Sequence, residues 1–268
     1  MIKKRKLDKS HVLVIGSGPS TRKYWDKIEN FIKEYNPITF GCNHIMDFLV
    51  PDYHFWGSRI RWEKYGHLVD PNTRLIVSIH FPKKYLKPIW KGKIWRFKNI
   101  EYSWKEGSEI KNSPQYNKCK VYVDKNDYMR GCFRDICSNS IFYAYIKGAK
   151  RISVVGNDGY TMYDEKDLKT EKEAQHCYGK GYTDGFTYNY GRKKDIDKYR
   201  SLKLLCKYGK KKYGFKFEII TPTIYDKFYN QKILGIEERH KDKEPSVREY
   251  KKTGWVFNRS RWLKDREY

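Results

Sequence analysis

The stretch His11-Val-Leu-Val-Ile-Gly-Ser-Gly-Pro-Ser20 decides the fold. Its first half is apolar and mostly β-branched, which is typical of a strand that is buried on both faces. Its second half consists of glycine, serine and proline, which end a strand in a tight turn. The stretch therefore predicts a buried strand that is followed at once by a turn.

A helix and a second strand follow closely. Ser20 can cap a helix over Thr21 to Tyr35, in which apolar and aromatic residues recur at helical spacing. Residues 37–43, with the sequence PITFGCN, then form another short strand. A strand, a helix and a strand within about 35 residues have the size of a βαβ unit, whose crossover is right-handed.

The alternation of strands and helices continues along the chain. Further elements are predicted as strands at Leu75–Ile79, Arg151–Gly156 and Phe215–Ile220, short strands near Ile94–Phe97 and Val121–Val123, and helices at Asp135–Lys147 and Lys194–Tyr208. Such an order predicts an α/β fold with a mostly parallel sheet and helices on both faces.

The composition excludes several classes of protein. The 268 residues carry 57 Lys+Arg against 32 Asp+Glu, a formal net charge of +25. An apolar fraction of 39% and an aromatic fraction of 17% exclude a disordered polycation, which needs low hydrophobicity. No apolar run of about 18 residues occurs, and the basic start MIKKRKLDKS lacks a small-residue cleavage site. We therefore expect a cytoplasmic protein with neither a membrane span nor a signal peptide.

Two regions differ in composition from the rest. Residues 157–190 are polar, rich in Tyr and Gly, and show no period, which is typical of a functional lid or a disordered insert. From residue 231 the chain is strongly charged, with tryptophan and phenylalanine among arginine and lysine. We therefore predict a catalytic domain over 1–230 with a lid near 157–190, and a basic aromatic C-terminal tail over 231–268.

Ligands of open α/β sheets bind beyond the carboxyl ends of the strands, so the residues that follow the strands are informative. Gly16, Ser17, Gly18 and Ser20 follow the first strand and offer backbone N–H groups, hydroxyls and a helix N-terminus, which suit an anion. Their spacing is neither that of a P-loop nor a full GxGxxG, so an ordinary tight turn is the alternative.

Two other strand ends carry polar residues. Asn43 ends the second strand, where it can bond a base or a sugar or simply terminate the strand. After the strand at 151–156, Asp158 can bind a ribose or sugar hydroxyl, and Tyr160 with Tyr163 can donate to a phosphate. The alternative there is an Asx-type turn with surface tyrosines.

Four motifs occur in one order: GSGPS after the first strand, GCN after the second, a serine-bearing helix before VVGNDGY, and a late strand that runs into TPT. Together they resemble the bacterial CMP-sialic-acid-dependent sialyltransferases of glycosyltransferase family 42 and related phage and archaeal proteins. The resemblance covers about residues 10–60 and 130–225. It implies a GT-A-like, Rossmann-type fold, a CMP- or UDP-linked sugar as co-substrate with no other cofactor, a hydroxyl acceptor, and a lid over the donor.

The resemblance also implies roles for individual residues. The implied donor site is lined by residues that follow the strands: Gly16, Ser17, Gly18, Ser20, Asn43, Thr221 and Thr223, the last two flanking the proline turn that cradles the base. Ser138 and Ser140 match the polar start of the family's helix at the donor. Tyr160 matches a tyrosine that steadies the departing phosphate, and Tyr163 lies near a second one.

The chain departs from the family at the general base. The family has a histidine just before its last helix, and the matching position here is Tyr190. A phenol with a pKa of about 10 is a poor base at neutral pH. His176 in the predicted lid is the substitute candidate and Asp184 the second, although either can be a solvated loop residue. The missing histidine can also mean another donor, another acceptor or a lost activity.

A metal site is not expected. The one D-x-D string, Asp195-Ile-Asp197, reads as the first turn of a helix, where acidic residues complement the helix dipole. The resemblance likewise implies that tyrosine hydroxyls, rather than a metal, manage the leaving-group charge. The six cysteines include no CxxC pair, which favours reduced thiols.

The positive charge predicts a polyanionic partner. Clusters of lysine and arginine with aromatics suit phosphate contact and base stacking, as in DNA, and equally an anionic membrane surface that carries a lipid-linked glycan. The third interpretation is that these cations are simply exposed to solvent and bind no partner. A membrane-peripheral location, an infected host cell and a homo-oligomer are left open.

Three rival functions remain. A virus-encoded DNA glycosyltransferase would act on hydroxymethylated pyrimidines, whereas a non-catalytic nucleic-acid-binding protein would keep only the fold. A diphosphate transferase of the pterin type would need Mg²⁺ and a carboxylate cluster that the sequence does not present.

Overall fold

The computed structural model describes part of the chain, and every structural statement here refers to that part. It comprises residues 7, 10–78, 81–86, 90, 94–97, 99–100, 122–123, 129–130, 135–162, 177, 191, 194–196, 198–199, 201–203, 205–206 and 215–239.

The described strands form two sheets. In chain order the strands are β1 (His11–Ile15), β2 (Ile38–Cys42), β3 (Tyr53–Trp56), β4 (Arg74–Ser78), β5 (Ile94–Phe97), β6 (Asn99–Ile100), β7 (Tyr122–Val123), β8 (Met129–Arg130), β9 (Arg151–Val155) and β10 (Lys216–Ile219). The main sheet has the order β10-β9-β1-β2-β3-β4-β5, and every neighbouring pair in it is parallel. The small sheet has the order β6-β8-β7.

Helices connect the strands of the main sheet. They are α1 (Pro19–Lys23), α2 (Trp25–Tyr35), α3 (Arg59–Tyr65), α4 (Lys83–Leu86) and α5 (Ile136–Ile146), followed by a short helix at Gln231–Leu234. The described residues between 194 and 206 are also helical and lie between β9 and β10 in the chain. The predicted α/β fold with a parallel sheet is therefore confirmed.

The helices cover both faces of the sheet because side chains of a strand alternate between faces. Val12 and Val14 of β1 lie in a buried cluster with α5 residues such as Ile141 and with Leu202 of the 194–206 helix. Leu13 and Ile15 lie in a second cluster with Ile28 and Phe31 of α2. A third cluster joins Trp56 and Trp62 to β4.

Several elements differ from the sequence-based prediction, and the helices α3 and α4 and the short strands β6 and β8 were not predicted. The single helix expected over Thr21 to Tyr35 is two helices, because Tyr24 leaves the helical conformation with φ −119° and ψ 24°. Pro19 begins the first of them, since its fixed φ suits the first helical turn. The strand β3 was not anticipated; it has only four residues, Tyr53–Trp56, all of them buried. Leu75–Ile79, expected as the third strand, corresponds to the fourth.

The strand order places a topological switch point between β1 and β9. From β1 the chain proceeds outward to β5 on one side, then returns through α5 to β9 on the other side. Ligands of open α/β sheets bind beyond the carboxyl ends of the strands at such a point. The turns after β1 and β9 are therefore where a site is expected.

The packed fold continues past residue 230. Leu234 and Ile236 are buried against α2, in the cluster that contains Ile28 and Phe31. Most of the predicted lid and residues 240–268 of the predicted tail lie outside the described residues.

A glycine substitution tests how closely the turns after β1 and β9 approach each other. A Cβ atom on Gly16 would lie 2.5 Å from the carbonyl oxygen of Gly156, and backbone cannot rotate away as a side chain can. We expect Gly16→Ala to lower the free energy of unfolding by about 3 kcal/mol in urea titrations.

The control is Gly235→Ala, which has open space around the added Cβ but a positive φ of 58°. It should cost about 1 kcal/mol, the strain of a left-handed residue. Equal losses in the two variants would contradict the close contact of the two turns.

Candidate functional site

The residues that follow β1, β2 and β9 lie at one edge of the sheet. Ile15 is in register with Val155 on one side and with Gly41 on the other, and all three strands run in the same direction. Gly18, Asn43 and Tyr160 therefore all follow the carboxyl ends of adjacent strands. The three loops therefore lie at the same edge of the sheet.

The turn after β1 is bonded to the turn after β9 by backbone hydrogen bonds. The Gly16 N–H donates to the Val155 carbonyl at 2.8 Å, and the Gly18 N–H donates to the Gly156 carbonyl at 2.9 Å. Gly156 has a φ of 64°, a conformation that favours glycine. Two of the N–H groups expected to bind an anion are therefore already used within the protein.

Asp158 binds Ser20 at the start of α1. The Ser20 N–H donates to Asp158 Oδ2 at 2.8 Å, and the Ser20 hydroxyl donates to Oδ1. Ser20 Oγ also lies 3.0 Å from Thr221 Oγ1, which accepts the Gly156 N–H at 3.0 Å. Burial raises the pKa of Asp158 to about 6, although the bonds from Ser20 oppose this shift. Asp158 therefore positions the turn.

A second buried carboxylate, Asp195, holds the end of the turn after β9. Its oxygens accept bonds from the backbone N–H groups of Tyr160 and Thr161, both at 2.9 Å, and from the Tyr225 hydroxyl at 2.8 Å. Burial raises the pKa of Asp195, and these bonds oppose the increase. Asp195 thus fixes the backbone of Tyr160.

The positive charge of Lys198 offsets the negative charges of the buried residues Asp135 and Asp195. Its side chain is 9% exposed, and its Nζ lies 3.4 Å from Asp135 Oδ2 and donates to Asn157 Oδ1 at 2.9 Å. Burial alone would lower the pKa of Lys198, but Asp135 and other nearby groups outweigh burial and raise it. Burial would likewise raise the pKa of Asp135, whereas Lys198 and Ser138 lower it.

The ring of Tyr160 lies beside two ammonium groups. Lys194 Nζ is 5.0 Å from the ring centroid and Lys198 Nζ is 5.4 Å from it, both within the range of a cation–π interaction. The two lysines are four residues apart in the 194–206 helix and therefore share one face of it. Tyr160 and Lys194 are half-buried, so part of each residue is exposed to solvent.

Several predicted site residues are buried and bonded internally. Ser138 donates to the α5 cap Asp135, Ser140 Oγ donates to the Cys137 carbonyl, and Thr223 Oγ1 donates to the Asn157 carbonyl. These side chains form an inner layer beneath the edge. They support the loops that a ligand would contact.

Asn43 also has a structural role. It has a φ of 55°, its N–H donates to the Phe55 carbonyl at 2.8 Å, and its Oδ1 accepts the Gly57 N–H at 3.1 Å. Its side chain thus ties the loop after β2 to the loop after β3.

The remaining predicted site residues divide into two groups. Ser17 and Gly18 are half-buried at the edge. His176, Tyr163, Tyr190 and Asp184 lie outside the described residues. The neighbour of His176 is described: Cys177 donates its N–H to the Ser17 carbonyl at 2.8 Å, and its own carbonyl accepts the Arg22 Nε–H.

No local pattern indicates Asp135, Lys194 or Lys198 as site residues, and the sequence predicts Asp195 only as part of a helical first turn. The spacing of Asp195 and Lys198 fits one helix face, but that pattern is equally typical of a solvated surface. Their importance follows from burial, which only the tertiary fold determines.

Three global findings bear on the site. Among the residues that the structure describes, no group of His, Cys, Asp or Glu is arranged to hold a metal ion. None of the described helices combines the length and the apolar character required to cross a bilayer. No protein-family model and no curated protein matches the chain.

Replacement of Lys198 tests the compensation of buried charge. Lys198→Met leaves the buried Asp135 and Asp195 without their nearest positive charge, and we expect a loss of about 3–5 kcal/mol in the free energy of unfolding at pH 7. The control Lys203→Met, at an exposed position of the same helix, should stay within about 0.5 kcal/mol of the parent protein. Equal effects in urea titrations would contradict the assigned role of Lys198.

A pH series tests the environment of Asp158. Because the folded pKa of about 6 exceeds the unfolded value, the folded state binds the extra proton, and this contribution to stability is lost as pH rises through 6. We expect the parent protein to lose up to about 3 kcal/mol relative to Asp158→Asn between pH 4 and pH 7, measured by urea unfolding. A constant difference across this range would contradict the raised pKa.

Proposed function

We propose that this protein is a glycosyltransferase that moves a sugar from a nucleotide-sugar donor, of the CMP-sialic-acid type, to a hydroxyl on an anionic acceptor. The observation that carries the proposal is the switch point between β1 and β9, where Ser17, Gly18 and Tyr160 reach the surface at one edge of a parallel sheet. Nucleotides bind at this place in open α/β sheets.

The reaction is a direct displacement at the anomeric carbon. A base takes the proton of the acceptor hydroxyl, the acceptor oxygen bonds to the anomeric carbon, and the nucleotide phosphate leaves with the bonding electrons. His176 is the proposed base, supported by its peptide bond to Cys177, which contacts the turn after β1. Asp184 is the second candidate. The GT-A-like subtype and a lid over 157–190 belong to this proposal.

The acceptor is proposed to be a polyanion, either a glycan at a membrane surface or DNA. The net charge of +25 suits both acceptors equally; with DNA as the acceptor, the protein would be a virus-encoded enzyme that modifies hydroxymethylated pyrimidines. Tyr190 at the position of the family's base favours a further alternative, a nucleic-acid-binding protein without catalysis.

The proposal is tested by melting the protein with CMP, UMP, UDP, GDP and their sugars, with and without DNA. A ligand that binds only the folded state raises the melting temperature according to its affinity. We expect a CMP-selective shift, followed by release of CMP from the sugar donor when an acceptor is supplied. A shift with DNA and with none of the nucleotides would replace the transferase by the binding protein.

A matched pair of variants separates catalysis from binding. His176→Asn should keep the shift caused by CMP and lose turnover about a hundredfold, the usual contribution of a general base. His67→Asn, at an exposed position in the short 3₁₀ helix Gly66–Leu68 that follows α3, should keep both. Undiminished turnover in His176→Asn would remove His176 as the base.

A further inference from the structure

The start of α1 is already occupied by a negative charge. In nucleotide-binding folds, a phosphate commonly binds the free N–H groups at a helix N-terminus. Here the carboxylate of Asp158 accepts the Ser20 N–H, the Gly16 N–H donates to the carbonyl of Val155 at the end of β9, and the Gly18 N–H donates to the carbonyl of Gly156 in the turn after it. A phosphate at that position would lose these donors and would meet the charge of Asp158.

Positive charge at the same edge is supplied by the 194–206 helix. Lys194 and Lys198 lie on one helix face, and both ammonium groups lie beside the ring of Tyr160. Tyr160 follows β9, which borders the switch point. The two ammonium groups therefore lie beside a residue that follows β9, the strand next to β1 at the switch point.

The two lysines differ in what surrounds them. The Lys198 side chain is 9% exposed, and its Nζ lies 3.4 Å from Asp135 Oδ2. Lys194 is half-buried, and its charge contributes to the low pKa of Asp135 less than that of Lys198 does. Lys198 is thus suited to position Tyr160 and Asn157, whereas Lys194 is suited to contact a ligand.

Resting on the proposed function, we propose that Lys194, beside Tyr160, binds the phosphate of the nucleotide that leaves in the reaction, in place of the α1 N-terminus. An ammonium held beside a ring at a partly buried position binds an oxyanion more strongly than an ammonium in water. The site needs no divalent cation for this contact, since the ammonium supplies the positive charge.

The test compares a nucleotide with its nucleoside, because only the nucleotide carries the phosphate. Binding of CMP against cytidine, and of UMP against uridine, is measured by calorimetry in EDTA for the full chain. In the parent protein we expect the monophosphate to bind more tightly. In Lys194→Gln the ratio of the affinity for the monophosphate to the affinity for the nucleoside should fall about tenfold to a hundredfold, which corresponds to the loss of one charge-assisted hydrogen bond. Nucleoside binding should be unchanged.

Two variants complete the design. Lys194→Arg keeps the positive charge and should restore most of the preference for the monophosphate. Lys203→Gln removes an exposed positive charge from the same helix and should leave the preference intact. A preference that survives in Lys194→Gln would overturn the inference and leave the proposed function standing. Failure of every nucleotide and nucleoside to bind the parent protein would overturn both.

A labelling measurement covers the case in which Lys194→Gln does not fold. The parent protein is acetylated at its lysines with and without CMP, and each site is quantified by mass spectrometry. We expect CMP, but not cytidine, to protect Lys194. Equal acetylation of Lys194 in both conditions would overturn the assignment.

Discussion

The contact between the turns after β1 and β9 is the constraint on which the rest of the structure depends. Gly16 and Gly156 approach so closely that neither has room for a Cβ atom, and Gly18 donates to the Gly156 carbonyl. Asp158 then closes the same junction through Ser20. Because the two turns belong to adjacent parallel strands at the switch point, this junction determines where Tyr160 and the start of α1 lie.

Buried polar groups form an inner layer beneath this edge of the sheet. Ser17, Gly18, Tyr160 and Lys194 are half-buried and lie partly exposed to solvent. Asp158 and Asp195 each accept several hydrogen bonds, and Lys198 lies against Asp135. A buried charge without such partners would be costly, so the bonds within the layer are required for folding itself. In the proposed function, contact with a ligand is left to the half-buried residues of the edge, among them Ser17 and Tyr160. The other serines and threonines expected at a ligand, such as Ser138, Ser140 and Thr223, are buried and serve as supports.

Much of the fold could be predicted from local patterns, and much of the site could not. The apolar runs of β1 and β9, each ended by glycine, predict strand ends at the same edge of the sheet, because parallel strands share one edge. That β1 and β9 are neighbours follows only from the fold. By contrast, the bond from Ser20 to Asp158 spans 138 residues and that from Ser20 to Thr221 spans 201, so no local pattern indicates either. The break at Tyr24 and the all-buried strand β3 also depend on packing that propensity does not encode.

The strong positive charge of the chain and the lysines of the edge act at different ranges. A net charge of +25 attracts polyanions over a distance that salt shortens to about 8 Å at physiological ionic strength. Lys194, beside Tyr160 and partly shielded from water, acts at contact distance, where salt screens little. In the proposed function, recruitment of an anionic acceptor and binding of a nucleotide phosphate would thus rest on separate groups of cations. For this reason a high net charge, which by itself describes only a polyanion-binding surface, is compatible with a selective nucleotide site at the switch point.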